Sequence, residues 1–364
     1  MRVALGLALL GALGLVLDSA PLGESSFASA RARTSVWNGD IYVANADGTG
    51  TTRLTRDPAE EFDPAWSPDG TKIVFSRFTG LRYQLFVMNE DGTNPVQLTY
   101  GDASALDAVW SPDGARIAFA RCRGSCDIYT IDADGGGERQ VTHAPPPGER
   151  APTWSPDGRE LAFADVDGIF TVDARGGDWQ RVTQGPADDA GPSWSPVSDE
   201  IAFEASRDLW DDDIYIARSN GGRLTNVTDS MPLDSVPSWS PDGKQIAFMR
   251  KRNRYTRARL FVMNADGTFQ TSLELIGDAY SRPSWSPDGT RIAYSWLTAC
   301  IVPKVAGMTL QDARDRIRRA SCAVGQIQFR ASRGRRGIVV SQQPRARATR
   351  MIGARVRLAV SVRR

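Results

Sequence analysis

The sequence predicts a mainly β protein: a six-bladed β-propeller closed by N- and C-terminal strands, followed by a small α+β module. Three observations carry that reading. The stretch Trp-Ser-Pro-Asp-Gly stands at Trp66–Gly70, Trp110–Gly114, Trp154–Gly158, Trp239–Gly243 and Trp285–Gly289. A worn copy, Trp194-Ser195-Pro196-Val197-Ser198, fills the gap, so the tryptophans lie 44, 44, 40, 45 and 46 residues apart. Between them recurs a second turn, as in Asn45-Ala46-Asp47-Gly48, Asn89-Glu90-Asp91-Gly92 and Asn264-Ala265-Asp266-Gly267. Two hairpins per repeat of this length make four strands, which is a propeller blade.

In chain order, Arg2 precedes an apolar run from Val3 to Leu17. The run is short for a transmembrane helix, which needs about 20 apolar residues. Ala28-Ser29-Ala30 then offers a small-x-small cleavage site, so residues 1–30 read as a secretory signal peptide, with an uncleaved anchor as the alternative. No Cys lies near the run to carry a lipid.

The propeller spans residues 36–298. In Ser-Pro-Asp-Gly, Pro pre-sets the second turn position, Asp suits the third and Gly takes the left-handed one. Nine residues after each Trp comes an aromatic: Phe75, Phe119, Phe163, Phe203, Phe248 and Tyr294. A short apolar run precedes each, such as Lys72-Ile73-Val74, and reads as the returning strand. The outgoing strands of the second hairpin include Asp40-Ile41-Tyr42-Val43 and Asp213-Ile214-Tyr215-Ile216. Return strands close on Leu-Thr or Val-Thr, ending at Thr55, Thr99, Thr142, Thr183 and Thr228, whereas the sixth copy has Leu273-Glu274. The first hairpin, Asp40 to Thr55, lacks its Trp partner, and the last, Trp285 to Trp296, lacks its second half. Joined, they complete a sixth blade and cover edges that would otherwise be exposed.

From Asp40 to Trp296 the sequence resembles the TolB-like six-bladed propeller family, on Pro-x-Trp-Ser-Pro-Asp-Gly-x-x-Ile-Ala-Phe followed by Ile-Tyr-Val-Met-Asn-x-Asp-Gly. The resemblance implies a channel mouth that docks a partner protein. The separate N-terminal domain of TolB itself is not expected, because only a leader precedes the first strand.

Five residues before the tryptophans stand Glu61, Ala105, Glu149, Asp189, Asp234 and Tyr280. Four of the six are carboxylates, placed where the chain enters the channel on the face with variable loops. Asp63, Asp102, Asp107, Asp188 and Asp278 add to the same rim. Such a ring would attract a cationic peptide of an unknown partner, or a divalent metal. Two loops are distinctive, the acidic Arg207–Asp213 with Trp210 and the basic Arg250–Tyr255, and they can neutralise each other. Asp132-Ala133-Asp134-Gly135 lacks the Glu of a calcium loop. His143 has no catalytic company, and no Gly-x-Ser-x-Gly elbow occurs.

Four cysteines in an exported chain favour disulfides. Three pairings are open, and nearness in sequence favours Cys122–Cys126 and Cys300–Cys322.

Residues 299–364 differ in kind, with fifteen Arg and one Lys against two Asp, a net of +14. Residues 1–298 are left with 28 basic against 41 acidic residues, a net of −13. Thr309 with Asp312 starts a capped helix from Leu310 to Ala320, and strands are expected at Val324–Phe329, Gly337–Ser341 and Arg355–Ser361. Val302-Pro303-x-Val305-x-Gly307-Met308-Thr309 and Val339-Val340-Ser341-Gln342-Gln343-Pro344 resemble the paired motifs of PASTA domains. That resemblance implies contact with peptidoglycan. The charge alone would suit any anionic polymer, but the export signal argues against nucleic acid.

The expected protein is thus an exported binding protein, monomeric, without enzymatic activity or cofactor. It is secreted, periplasmic or cell-wall associated in a bacterium, its propeller binding a protein or peptide while residues 299–364 anchor it to a wall polymer. The alternative is a propeller hydrolase of lactonase or esterase type, with Glu61, Glu149, Asp189 and Asp234 holding a divalent metal in the channel.

Overall fold

The computed structural model describes residues 39–362 apart from 58, 144–147, 185–187, 209–210, 230, 253–257, 278–280, 298–299, 302–303, 320–322, 332–336, 344–348 and 351–354. The leader, Trp210, Arg254, Tyr255, Asp278 and Tyr280 therefore lie outside the described residues. Among the described residues, no helix is long and apolar enough to cross a membrane.

Six four-stranded antiparallel sheets form the blades. Blade 1 is the spliced one. It joins Gly39–Asn45 and Thr52–Arg53 to Ser284–Trp285 and Arg291–Leu297, paired in unbroken register from Gly39↔Leu297 to Asn45↔Arg291. Blades 2 to 6 are contiguous, with inner strands Glu61–Trp66, Ser104–Trp110, Arg150–Trp154, Ala190–Trp194 and Leu233–Trp239.

The repeated pentapeptide folds as its residues dictate. Ser67 Oγ donates to Asp69 Oδ1 at 2.6 Å and accepts the Lys72 N–H at 2.9 Å. The same pair of bonds recurs at Ser111, Ser155, Ser240 and Ser286. In the worn copy Val197 replaces the Asp, and Ser195 Oγ accepts only a 3.4 Å bond from the Val197 N–H. Behind the turns, Phe75, Phe119, Phe163, Phe203, Phe248 and Tyr294 are fully buried.

What joins the blades is the second turn. Gly48, Gly92, Gly135, Gly176, Gly221 and Gly267 all have positive φ. Each lies against the backbone carbonyl of Leu273, Leu54, Leu98, Val141, Val182 or Val227 in the preceding blade. A Cβ at Gly267 would come within 2.2 Å of the Val227 oxygen, so glycine is required there by contact as well as by conformation. Leu273 serves at the seam between blades 6 and 1, where the sequence departs from Leu-Thr.

Residues after the propeller build a separate core of Val305, Ala313, Ile317, Val339, Val356, Leu358 and Val360. The helix runs Leu310–Arg319, and Thr309 Oγ1 accepts the Asp312 N–H at 3.2 Å and donates to the Asp312 carboxylate at 2.7 Å. Ala323–Ala331 pairs in parallel with Arg355–Val362, which also pairs antiparallel with Val339–Gln343.

Cys122 and Cys126 form a disulfide across the tip of a blade 3 hairpin. Cys322 and the Cys300 side chain lie outside the described residues, and the second expected pair with them.

The turn bonds yield a test. Ser155→Ala removes both an acceptor and a donor from a buried site, and should cost about 1–2 kcal/mol in urea unfolding. Ser195→Ala, which loses one long bond, should cost well under half of that in the same assay.

Candidate functional site

All four carboxylates singled out by the sequence are buried, and they lie between blades. Three hold arginines. Arg77 Nε donates to Glu61 Oε1 at 2.6 Å, its partner in strand register. Arg250 grips Asp234 through Nε and Nη2, both at 2.6 Å, from the matching register position. In blade 5 Ala205 stands there, and Arg207, two residues on, reaches Asp189 with Nη2 at 2.9 and 2.8 Å. The guanidiniums lie over aromatic rings, Arg77 at 4.6 Å from Phe86 and Arg250 at 4.9 Å from Phe261.

The Thr of Leu-Thr completes the clamp. Thr55, Thr99, Thr142, Thr183 and Thr228 each accept an N–H from their own blade's third strand through Oγ1, at 2.8 to 3.0 Å. Burial raises the pKa of Glu61, Asp189 and Asp234, opposed in each case by one of these threonines and by the arginine. The acids that the sequence suggests as an open ring are therefore committed to the seams between blades.

Glu149 is the exception. Its place in the register, next to Arg150↔Ala164, sets it opposite Asp165, where blades 2 and 6 have arginine. Thr142 Oγ1 donates to Oε2 at 3.2 Å, while Oε1 is buried with no partner. Burial, with Asp127 and Asp165 pushing the same way, raises its pKa to about 7. The Glu149 N–H donates to the carbonyl of Cys126 at 2.9 Å, so the disulfide hairpin fixes the backbone at this acid.

A second constellation lies on the channel wall itself. Each inner strand of blades 2 to 6 breaks register three residues before its Trp, at Asp63, Asp107, Ala151, Gly191 and Val236. All five have φ between 48° and 58°. Left-handed backbone at Ala and Val is strained and persists only where the surroundings impose it. The N–H groups freed by the bulges are taken up across blade boundaries. Asp63 donates its N–H to Ser281 Oγ at 3.0 Å, Ala151 to Asp107 Oδ2 at 3.3 Å, and Val236 to Glu204 Oε2 at 2.7 Å. Glu204 passes Gly191 with its carboxylate carbon 3.8 Å from where a Cβ would stand, an ordinary contact distance.

The corresponding residue of blade 1 is Arg282. Its N–H donates to Asp63 Oδ1 at 3.3 Å, and its Nη1 reaches the carbonyl of Pro152 at 3.5 Å. Pro152 belongs to blade 4, opposite blade 1 in a ring of six, so this side chain bridges the channel. Burial lowers the guanidinium's pKa, while Asp107, Asp63 and Glu204 act against that. Glu204 is itself raised to about 7, chiefly by burial. Sequence reasoning missed Arg282 and Glu204. The available signal was positional, an Arg where the other copies carry Asp63, Asp107, Ala151, Gly191 or Val236.

Among the described residues, no three His, Cys, Asp or Glu side chains form a group able to hold a metal. Three of the four acids in the metal alternative already hold a guanidinium.

A ring of six four-stranded blades around a bridged channel defines a β-propeller protein. Models of the TolB beta propeller domain match residues 25–145, 78–209 and 206–317, and the chain belongs to that family. The PASTA domain model matches residues 301–362. No curated protein matches the sequence. Among solved structures, a TolB from Agrobacterium tumefaciens is similar at 26% identity and a TM-score of 0.64, covering 71% of this chain and 98% of that one. TolB from Acinetobacter baumannii shares the fold at 21% identity and a TM-score of 0.56, over 68% of this chain and 66% of that one. A chain of the nidogen/laminin complex shares it at 12% identity and a TM-score of 0.54, over 71% and 99%.

Two outcomes are expected at these sites. Glu149 has a folded pKa above its unfolded value of about 4.5, so its contribution to stability is full below that value and is lost as pH rises through about 7. Glu149→Gln should therefore flatten the fall in melting temperature between pH 5 and 8 and be relatively more stable at pH 8. Arg282→Ala leaves Asp63, Asp107 and Glu204 without the cation between them, and should cost about 2–3 kcal/mol in denaturant unfolding at neutral pH. Arg282→Lys should recover part of the loss.

Proposed function

We propose that this is an exported, non-catalytic binding protein of the bacterial envelope. Its propeller presents a surface to a protein or peptide, and its PASTA domain anchors the chain to peptidoglycan or another anionic wall polymer. The observation that carries this reading is the joining, in one chain, of a TolB-family propeller with a net charge of −13 over residues 1–298 to a PASTA domain with a net charge of +14. Opposite charges on two parts of a chain divide the labour between them: the basic part seeks anionic polymer, and the acidic part is repelled by it and stays available to a cationic partner.

The channel geometry supports a surface role. With Arg282 bridging it and three of the four seam acids holding arginines, binding falls to the variable loops. Variable loops on a rigid scaffold are where recognition is usually built.

The test is sedimentation of the protein with purified bacterial cell walls over a salt series. Full-length protein should co-sediment at low salt and release at high salt, and a version ending at Leu297 should stay in solution. Equal sedimentation of the two, or of neither, removes the anchor. Cross-linking of wall-bound protein to envelope extracts, compared with a Leu81→Asp variant in the exposed loop between Lys72–Phe78 and Tyr83–Asn89, then reads the propeller's partner.

A further inference from the structure

Where blades 3 and 4 meet, a solvent-open cavity of about 400 Å³ has Arg139, His143, Arg175 and Trp179 in its lining. Its charge comes from departures from the repeat. Where blade 4 has Arg175, the other turns carry Asp47, Asp91, Asp134, Asn220 and Asp266. Each of those side chains accepts the N–H two residues ahead, at 2.9 to 3.0 Å. Blade 4 forgoes that bond. Asp173 Oδ1 instead accepts the Arg175 N–H at 2.8 Å and pairs with its guanidinium at 3.2 Å. The blade 4 turn thus sets a guanidinium, paired with Asp173, beside the cavity where four of the other five turns set a carboxylate.

The second departure is Trp179, three residues after the turn glycine, where the other blades have Thr51, Pro95, Glu138, Leu224 and Gln270. The indole is set edge-to-face on Phe163, at 5.0 Å and 81°, and on Phe170, at 6.0 Å and 63°. Two core phenyls therefore hold a half-buried indole in fixed orientation at the cavity wall. From blade 3, Arg139 donates to the Arg175 carbonyl, which ties the two basic residues together. Its neighbour Glu138 is drawn away to Arg121, so no acid lines the cavity.

We propose that this cavity binds an anionic saccharide unit. A fixed indole packs against the C–H face of a sugar ring, and Arg139, Arg175 and His143 supply charged and polar donors for a carboxylate or phosphate on it. The inference rests on the reading that the protein meets envelope polymers, and it adds a contact on the propeller separate from the PASTA domain.

The experiment is ligand-observed NMR saturation transfer on the full-length protein with three probes: N-acetylmuramic acid, N-acetylglucosamine 1-phosphate and neutral N-acetylglucosamine. At least one acidic sugar should bind at millimolar affinity or better, with the neutral sugar at least tenfold weaker. Signal from the first alone assigns a carboxylate ligand, and from the second alone a phosphate. Arg175→Asp restores the residue of four of the other five turns and so keeps the fold; it should weaken binding at least tenfold with an unchanged melting temperature. Trp179→Leu should do the same to sugar contacts. Equal binding of the neutral sugar, no binding of either acid, or full binding by Arg175→Asp overturns the proposal. Wall sedimentation of Arg175→Asp separates the two readings, because an anchor in the PASTA domain persists when the cavity is lost.

Discussion

The structure depends on a contact made six times: a turn glycine laid on a carbonyl of the blade before it. The contact needs positive φ and the absence of a side chain, and it sets how near one blade comes to the next. Everything between blades is built at that separation. The threonine clamp, the seam acids with their arginines, and the bulge N–H groups capped by Asp107 and Glu204 all presuppose it. A closed ring tolerates little variation in any of its seams, which is why the chain holds Gly there even in blade 5, where the rest of the turn has become Arg218-Ser219-Asn220.

Within that frame, charge is handled locally. A buried carboxylate is costly unless paired, and the seams at Glu61, Asp189 and Asp234 each supply an arginine laid on an aromatic ring. Glu149 has no such partner and meets the cost by holding its proton to about pH 7. The neighbouring features gather at the same junction: the disulfide hairpin that fixes its backbone and the basic cavity with Trp179. The seam of blades 3 and 4 keeps the acid and the threonine but not the arginine.

Much of the fold was legible because periodicity reports equivalence. The spliced blade, both hairpin turns, the Thr309 cap and the Cys122–Cys126 bridge all follow from residues close in sequence or from copies compared with one another. Contacts between blades were not legible in that way. Asp63 and Ser281 are bonded although 218 residues apart, and no spacing announces it. Equivalence told us that Glu61 and Glu149 hold like positions; it did not tell us that Arg77 faces one and Asp165 the other. Sequence reasoning therefore set four acids on one rim from their like positions, and could not see that three face guanidiniums inside the wall.

The splice in blade 1 has a mechanical consequence. Gly39 and Leu297 are register partners, so the chain enters and leaves the ring side by side. A pull between these two ends loads that pair first and then the next, opening the ring like a zip, one small barrier at a time. A pull on the outgoing end alone, resisted by something bound to the body of the propeller, draws Arg291–Leu297 lengthwise between its two neighbours and strains the whole ladder together. The second geometry resists far larger forces. A propeller of this construction is mechanically sound when tethered by one end and weak when tethered by both.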